Sequence, residues 1–286
     1  MDKKRFMFLV EKCLFEIDKE EYPEAYRILK WTFDDEYDEF KDDDDDDDGF
    51  YARRSMYSVA CDLHSSDETN VMPPLVAHLV TEIYLYEIEK ENYDAATNLG
   101  SLYYTGRAGE QDFVQAVKYY EIAAEHGERA AQENLGYCYY YGRTGIVDYE
   151  KAFNYFAMGA FDGHLRSLYK IADMYRNGYY VKKNEREAFI IYKHCYDTGT
   201  EKSDSIVGAD VAMRLGDCYF EGIGVDIDYQ KAMEYYQEAE RKFYKRLMTG
   251  DFLMKNGYKK SIRRQGEVRE KLMEMLPGYE WTKFHE

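Results

Sequence analysis

The sequence is poor in several things, and each shortage removes a class of protein. Proline occurs only four times and tryptophan twice in 286 residues, so little interrupts a helix from within. There is no surplus of positive charge. The count of 38 basic against 56 acidic residues gives a net charge of −18, which argues against a nucleic-acid backbone or an anionic membrane surface as partner. Long apolar runs are also missing. The run Phe6 to Val10 ends after five residues at Glu11, short of a secretory core or a membrane span. The five cysteines, Cys13, Cys61, Cys138, Cys195 and Cys218, are odd in number and show no C-x-x-C spacing. Free, buried thiols and a cytoplasmic location are the expectation.

Chemistry is scarce as well. The six histidines show neither H-x-x-x-H nor H-E-x-x-H spacing, so no metal site is expected. The only G-x-G, Gly222-Ile223-Gly224, follows a helical pattern where a phosphate loop follows a strand. No carboxylate pair, serine elbow or Cys–His arrangement stands out. The chain reads as a non-enzyme with no catalytic residue and no cofactor.

Two things are abundant. Tyrosine occurs 31 times, a level that points to helix packing and contact surfaces. Acidic residues are concentrated in residues 34–48, DDEYDEFKDDDDDDD, which hold twelve carboxylates and one lysine for a net of −11. The rest of the chain carries −18 + 11 = −7. A run such as Asp42 to Asp48 repels itself and cannot pack, so a solvated, disordered loop is expected. Docking to a basic partner is the functional alternative.

A period organises the remainder. The phrase L-G-x-x-Y-x-x-G occurs at Leu99 to Gly106, Leu135 to Gly142 and Leu215 to Gly222, with a degenerate copy, Ile171-Ala172 to Gly178, between the last two. The terminal glycines are 36, 36 and 44 residues apart. A second phrase keeps step: Asp112, Asp148, Asn184 and Asp228 each stand four residues before an alanine, Ala116, Ala152, Ala188 and Ala232, which aromatic or aliphatic side chains follow. Leu, Gly and Tyr at i, i+1 and i+4 put an anchor and a close-approach point on one helix face. The later glycine suits the left-handed residue that ends the helix, and Asp or Asn suits the N-cap of the next. Each unit is therefore a helix A, a tight loop and a helix B, and it needs stacked neighbours to bury its apolar face.

These phrases resemble Sel1-like repeats, relatives of tetratricopeptide repeats, most clearly in Leu215-Gly216-Asp217-Cys218-Tyr219-Phe220-Glu221-Gly222 followed by Asp228, Ala232 and Tyr235-Tyr236. The resemblance implies an all-α fold, a right-handed α-solenoid of helix-turn-helix repeats with helical N- and C-terminal caps. Four repeats fall in residues 94–245, and a half repeat lies within a helical region at 49–93. A helical cap occupies 1–33 and the acidic loop 34–48. Residues 246–286 read as a degenerate repeat around Phe252 to Gly257 and a capping helix at Glu267 to Leu276. The cysteine pair that secreted Sel1-like proteins carry in each repeat is missing.

In the related tetratricopeptide family the A helices line a concave groove. Carried over, the resemblance implies a partner-binding set of Tyr104, Glu133, Tyr137, Tyr140, Tyr141, Tyr169, Asp173, Arg176, Asp217 and Phe220, with Thr97, Ser101, Thr105, Asn177, Met213 and Glu221 in matching positions. Tyr103, Tyr139, Tyr175 and Tyr219 are assigned to the core by their period. The expectation is a protein-interaction scaffold or adaptor that takes a protein or peptide on the A-helix face, with no nucleic acid or membrane partner. The alternative is an acidic immunity- or inhibitor-type protein that neutralises a basic toxin or enzyme.

Overall fold

The computed structural model describes residues 1, 3–34, 55–65, 72–201, 207–249 and 254–275. Among these it contains thirteen helices and no strand, an all-α architecture. Residues 35–48, most of the acidic run, lie outside the described residues. The chain divides into two compact units, Met1–Asp148 and Tyr149–Glu286.

The first unit contains α1 (Lys3–Glu16), α2 (Pro23–Asp34), α3 (Met56–Ser65), α4 (Pro74–Glu89), α5 (Tyr93–Thr105), α6 (Phe113–Glu125) and α7 (Arg129–Tyr140). Its main core joins Phe6, Val10 and Cys13 of α1 to Leu29 of α2, Val59 and Leu63 of α3, and Leu79, Val80, Ile83 and Tyr84 of α4. The amphipathic N-terminal helices thus bury their apolar stripes against α4, which in turn packs on α5. Fully burying each such side chain stabilises by roughly 1.5–3 kcal/mol.

The second unit contains α8 (Tyr149–Phe161), α9 (Leu165–Asn177), α10 (Glu185–Glu201), α11 (Gly208–Glu221), α12 (Tyr229–Met248) and α13 (Lys255–Met275). Neighbouring helices pack in chain order. Asn256 and Gly257 stand in the first turn of α13 and Glu267 in its middle, so one helix of 21 residues runs through the region read as degenerate repeat and cap.

The repeated phrases have their expected local causes. Gly106, Gly178 and Gly222 end α5, α9 and α11 in the left-handed conformation, with φ of 72°, 72° and 76°. Side-chain oxygens of Asp112 and Asp228 accept from backbone N–H groups at the starts of α6 and α12, and Asn184 accepts from the Glu187 N–H at 3.1 Å. The loops close in one way throughout. The N–H groups of Asp112, Asp148, Asn184 and Asp228 donate to the carbonyls of Tyr103, Tyr139, Tyr175 and Tyr219 at 2.9 or 3.0 Å. The fixed distance between the tyrosine and the capping residue therefore has a backbone reason, independent of either side chain.

In the hairpins that lie within one unit, α5–α6, α9–α10 and α11–α12, the filling ring comes from helix B. Tyr120, Phe156, Tyr192 and Tyr236 are almost wholly buried, as are Ala116, Ala152, Ala188 and Ala232 one turn earlier. Gly100 and Gly216 admit these rings: a Cβ on either would lie 2.6 Å from Tyr120 or 2.5 Å from Tyr236. The A-helix tyrosines expected in the core differ in depth, with Tyr103 and Tyr175 packed against the core clusters from their margins. Only Tyr219 is buried, and Tyr103, Tyr139 and Tyr175 are half-buried. Tyr103 stacks on Tyr119 and Tyr219 on Tyr235, both with centroids 5.7 Å apart.

Candidate functional site

The residues implied as a partner-binding face divide between the units and differ in kind. In the first unit they are, but for Glu133, aromatic: Tyr141 is exposed and Tyr104, Tyr137 and Tyr140 are half-buried. Tyr104, next to last in α5, meets Phe113 at the start of α6 edge to face, with centroids 5.2 Å apart. At the end of α7, Tyr137 stacks on Tyr141 at 6.2 Å, and Tyr140 meets Tyr141 edge-on at 4.9 Å. Tyr141 is 49% exposed. Glu133, by contrast, is buried.

Arg143 ties these rings together, and sequence reasoning did not single it out. It stands in the loop after Gly142, whose φ of 60° turns the chain back. Its guanidinium carbon lies 5.7 Å from the Tyr104 ring centre, 5.4 Å from that of Phe113 and 5.3 Å from that of Tyr141. Its Nε donates to the Tyr104 hydroxyl at 3.1 Å. An open hollow of about 530 Å³ lies here, lined by Glu110, Gln111, Asp112, Phe113, Val114 and Arg143 among others, with Tyr104 and Tyr141 reaching it only through Arg143. Val114, Ile146 and Val147 are exposed around it or next to it in the chain.

In the second unit the corresponding positions are polar and mostly consumed by internal bonds. Asp173 is buried, accepting from the Tyr192 hydroxyl at 2.6 Å and from Arg214 Nε at 2.8 Å, with Lys170 Nζ at 3.2 Å. Burial pushes its carboxyl up, but Arg214, Lys170 and Tyr192 outweigh that and hold it at about 2. Asp217, also buried, accepts from the Tyr236 hydroxyl at 2.8 Å and pairs with Arg264 at 3.1 Å, Lys260 at 3.5 Å and Arg176 at 3.7 Å. Arg176 reaches Glu221 as well, at 3.2 Å. Tyr169 is buried, with Lys170 over its ring. Phe220 is half-buried, against Tyr229 and beneath Arg264.

The sixteen aligned positions are therefore not one uniform lining. Thr97, Glu133, Tyr169, Asp173, Met213 and Asp217 are corrected from surface to buried positions; Asp173 is enclosed because Arg214 of α11 and Tyr192 of α10 close over it. A signal was present for the two aspartates. In each repeat with a B-helix tyrosine at the filling position, the A helix offers it an oxygen: Ser101 to Tyr120 at 3.2 Å, Asp173 to Tyr192 and Asp217 to Tyr236. Where that ring is Phe156, the A-helix position holds Tyr137. The pairing of a hydroxyl with an acceptor nineteen residues earlier can be read from the sequence once the repeat is phased.

Neither reactive thiols nor a metal site emerge among the described residues. Burial pushes the Cys13, Cys138, Cys195 and Cys218 thiols up to about 12, where little thiolate forms. No group of three or more His, Cys, Asp or Glu side chains among the described residues could hold an ion. No helix among them is long and apolar enough to cross a membrane.

Helical hairpins that repeat one loop closure define an all-α helical-repeat protein. Comparison with known families makes this specific. The Sel1 repeat model matches residues 94–128, 129–164, 165–193 and 209–242, and the chain is a Sel1-like repeat protein. Among solved structures it is similar to a Sel1 repeat protein from Oxalobacter formigenes, at 20% identity and a TM-score of 0.51, over 86% of this chain and 96% of that one. It is also similar to c5321, described as a protective antigen of uropathogenic Escherichia coli strains displaying an SLR fold, at 19% identity and a TM-score of 0.53. That alignment covers 94% of this chain and 59% of c5321. At these identities the likeness is one of fold. No curated protein sequence matches the chain significantly.

Proposed function

We propose that the chain is a non-enzymatic adaptor that binds a protein or peptide on its A-helix face, chiefly through the aromatic hollow of the first unit. Sel1 repeats in general mediate protein–protein interaction. One observation carries the finer reading: Tyr104, Phe113 and Tyr141 converge on Arg143 beside an open hollow. Tyrosine and arginine are the side chains that most often anchor interfaces, because they bring large contact area and directed hydrogen bonds at low entropic cost. The second unit supplies a stiffer, ion-paired stretch of the same helix positions.

Affinity capture from the native cell tests this reading. The double variant Tyr104→Ala/Tyr141→Ala should lose captured protein by about tenfold or more, since anchor residues are each worth at least about 2 kcal/mol. Its melting temperature should stay within a few degrees, because neither ring is buried. Equal capture by wild type and a folded double variant would sink the proposal. A second reading, neutralisation of a basic toxin or enzyme, is favoured by the net −11 of residues 34–48.

A further inference from the structure

The first and fourth repeats build the same cradle and finish it differently. In both, the aromatic residue five places after the repeat leucine meets the first residue of helix B edge to face. The pairs are Tyr104 with Phe113 at 5.2 Å and Phe220 with Tyr229 at 5.7 Å. In both, an arginine from beyond the hairpin lies over that aromatic, from the loop after α7 in the first case and from α13 in the fourth. Arg143 is 5.7 Å from the Tyr104 ring centre, and Arg264 of α13 is 5.3 Å from that of Phe220.

The difference is charge. Arg264 is compensated: it pairs with Asp217, with Glu221 and with Glu267 of its own helix. Asp217 and Glu221 stand two and six residues after Leu215; the same places after Leu99 hold Ser101 and Thr105. Arg143 accordingly has its rings and one hydroxyl, and no carboxylate among the described residues. It is exposed at the hollow, fixed in direction by three ring contacts and the bond from Nε. Both terminal nitrogens are left to donate. Val114 and Ile146, 65% and 74% exposed, lie in the segments flanking it.

We infer that the first-unit hollow takes a peptide segment presenting a carboxylate beside a large apolar side chain, the carboxylate supplying to Arg143 what Asp217 and Glu221 supply to Arg264 within the chain. The inference rests on the adaptor reading and adds the chemistry of its ligand. A planar guanidinium held against aromatic faces is pre-organised for a bidentate bond to a carboxylate, while apolar rings beside it accept the neighbouring side chain. Two carboxylates, Glu110 and Asp112, also line the hollow; Asp112 is engaged as the N-cap of α6, accepting from the Val114 and Gln115 N–H groups, so Arg143 remains the directed cation there, acting at short range.

A random twelve-residue peptide display library selected on the intact chain is the probe. Recovered peptides should be enriched in Asp or Glu next to a large apolar residue. Synthetic copies should bind Arg143→Gln at least about tenfold more weakly, as loss of a charge-assisted pair requires. Thr105→Glu places a carboxylate at the position of Glu221 and should weaken the same peptides by a similar factor, while Thr105→Gln should leave them unchanged. Thr105 is exposed, so both variants are expected to fold, which circular dichroism checks. Peptides without acidic enrichment, or acidic peptides indifferent to Arg143→Gln and Thr105→Glu, would overturn the inference and leave the adaptor reading standing. If no peptide is recovered, the inference falls, and the capture experiment with the tyrosine variants still decides the adaptor reading alone.

Discussion

A glycine inside a helix is ordinarily a weakness, about 1 kcal/mol worse than alanine, yet the sign of that effect differs between two glycines of this chain. Gly216 faces the Tyr236 ring, where a Cβ would lie 2.5 Å from Cε1. That ring is wholly buried and its hydroxyl is tied to Asp217, so it cannot swing aside. Gly216→Ala should destabilise by about 1–3 kcal/mol, the cost of overpacking. Gly266 in α13 has nothing within 4 Å of a Cβ, and Gly266→Ala should stabilise by up to about 1 kcal/mol. Chemical denaturation of both variants checks the pair, and equal signs would contradict the packing. His64 gives the pH counterpart. Burial, and then the charge of Arg107, push its imidazole down to about 4, and its Nδ1 lies 3.1 Å from the Tyr84 hydroxyl. A histidine kept neutral in the fold contributes stability that is present above the unfolded value of 6.5 and lost as pH falls from there towards 4. Wild type should lose about 2 kcal/mol more than His64→Gln between pH 7 and pH 5, measured as the change in denaturation midpoint.

At the level of helices, local causes were legible and lateral ones were not. The glycine that ends each A helix, the aspartate that starts each B helix and the small alanine one turn later are short-range devices, and a chain repeating them displays its own stride. What a single repeat conceals is which side chains meet the next one. The period places Asp173 of α9 on an open face, yet it is buried against Arg214, 41 residues away on α11. Arg143 escaped notice for the opposite reason, since it lies in a loop, outside both helical phases, and gains its meaning from Tyr104, 39 residues earlier. The lateral bond has a consequence for stability. Asp173→Ala removes the acceptor from Tyr192, Arg214 and Lys170 together, and Lys170 is 3% exposed. Breaking one side of a buried ion pair costs about 3–5 kcal/mol, so the variant should melt far below wild type. The double variant Asp173→Ala/Lys170→Met should recover part of the loss, and a thermal melt series reads both. If Asp173→Ala melts with wild type, the α9–α11 contact is not held by this carboxylate.

For the molecule as a whole, the remaining question is whether its charge or its aromatic surface selects the partner, and the two make opposite demands on the same deletion. Residues 34–48 carry −11 of the total −18, so removing them leaves −7, while every aromatic residue of the first-unit hollow lies elsewhere in the chain. Diffuse charge acts over about 8–10 Å in physiological salt and is screened beyond that, so a partner selected by the run would bind quickly at low salt and lose affinity steeply as salt rises. A partner anchored on Tyr104, Tyr141 and Arg143 makes close, partly desolvated contacts that salt weakens much less. The deletion should therefore change affinity for the captured partner by less than about threefold, and the salt dependence should stay shallow between 50 mM and 500 mM when measured by calorimetry. Abolition of binding by the deletion, with a steep salt slope in the intact chain, would transfer the function from the hollow to the acidic run and make neutralisation of a basic protein the better account.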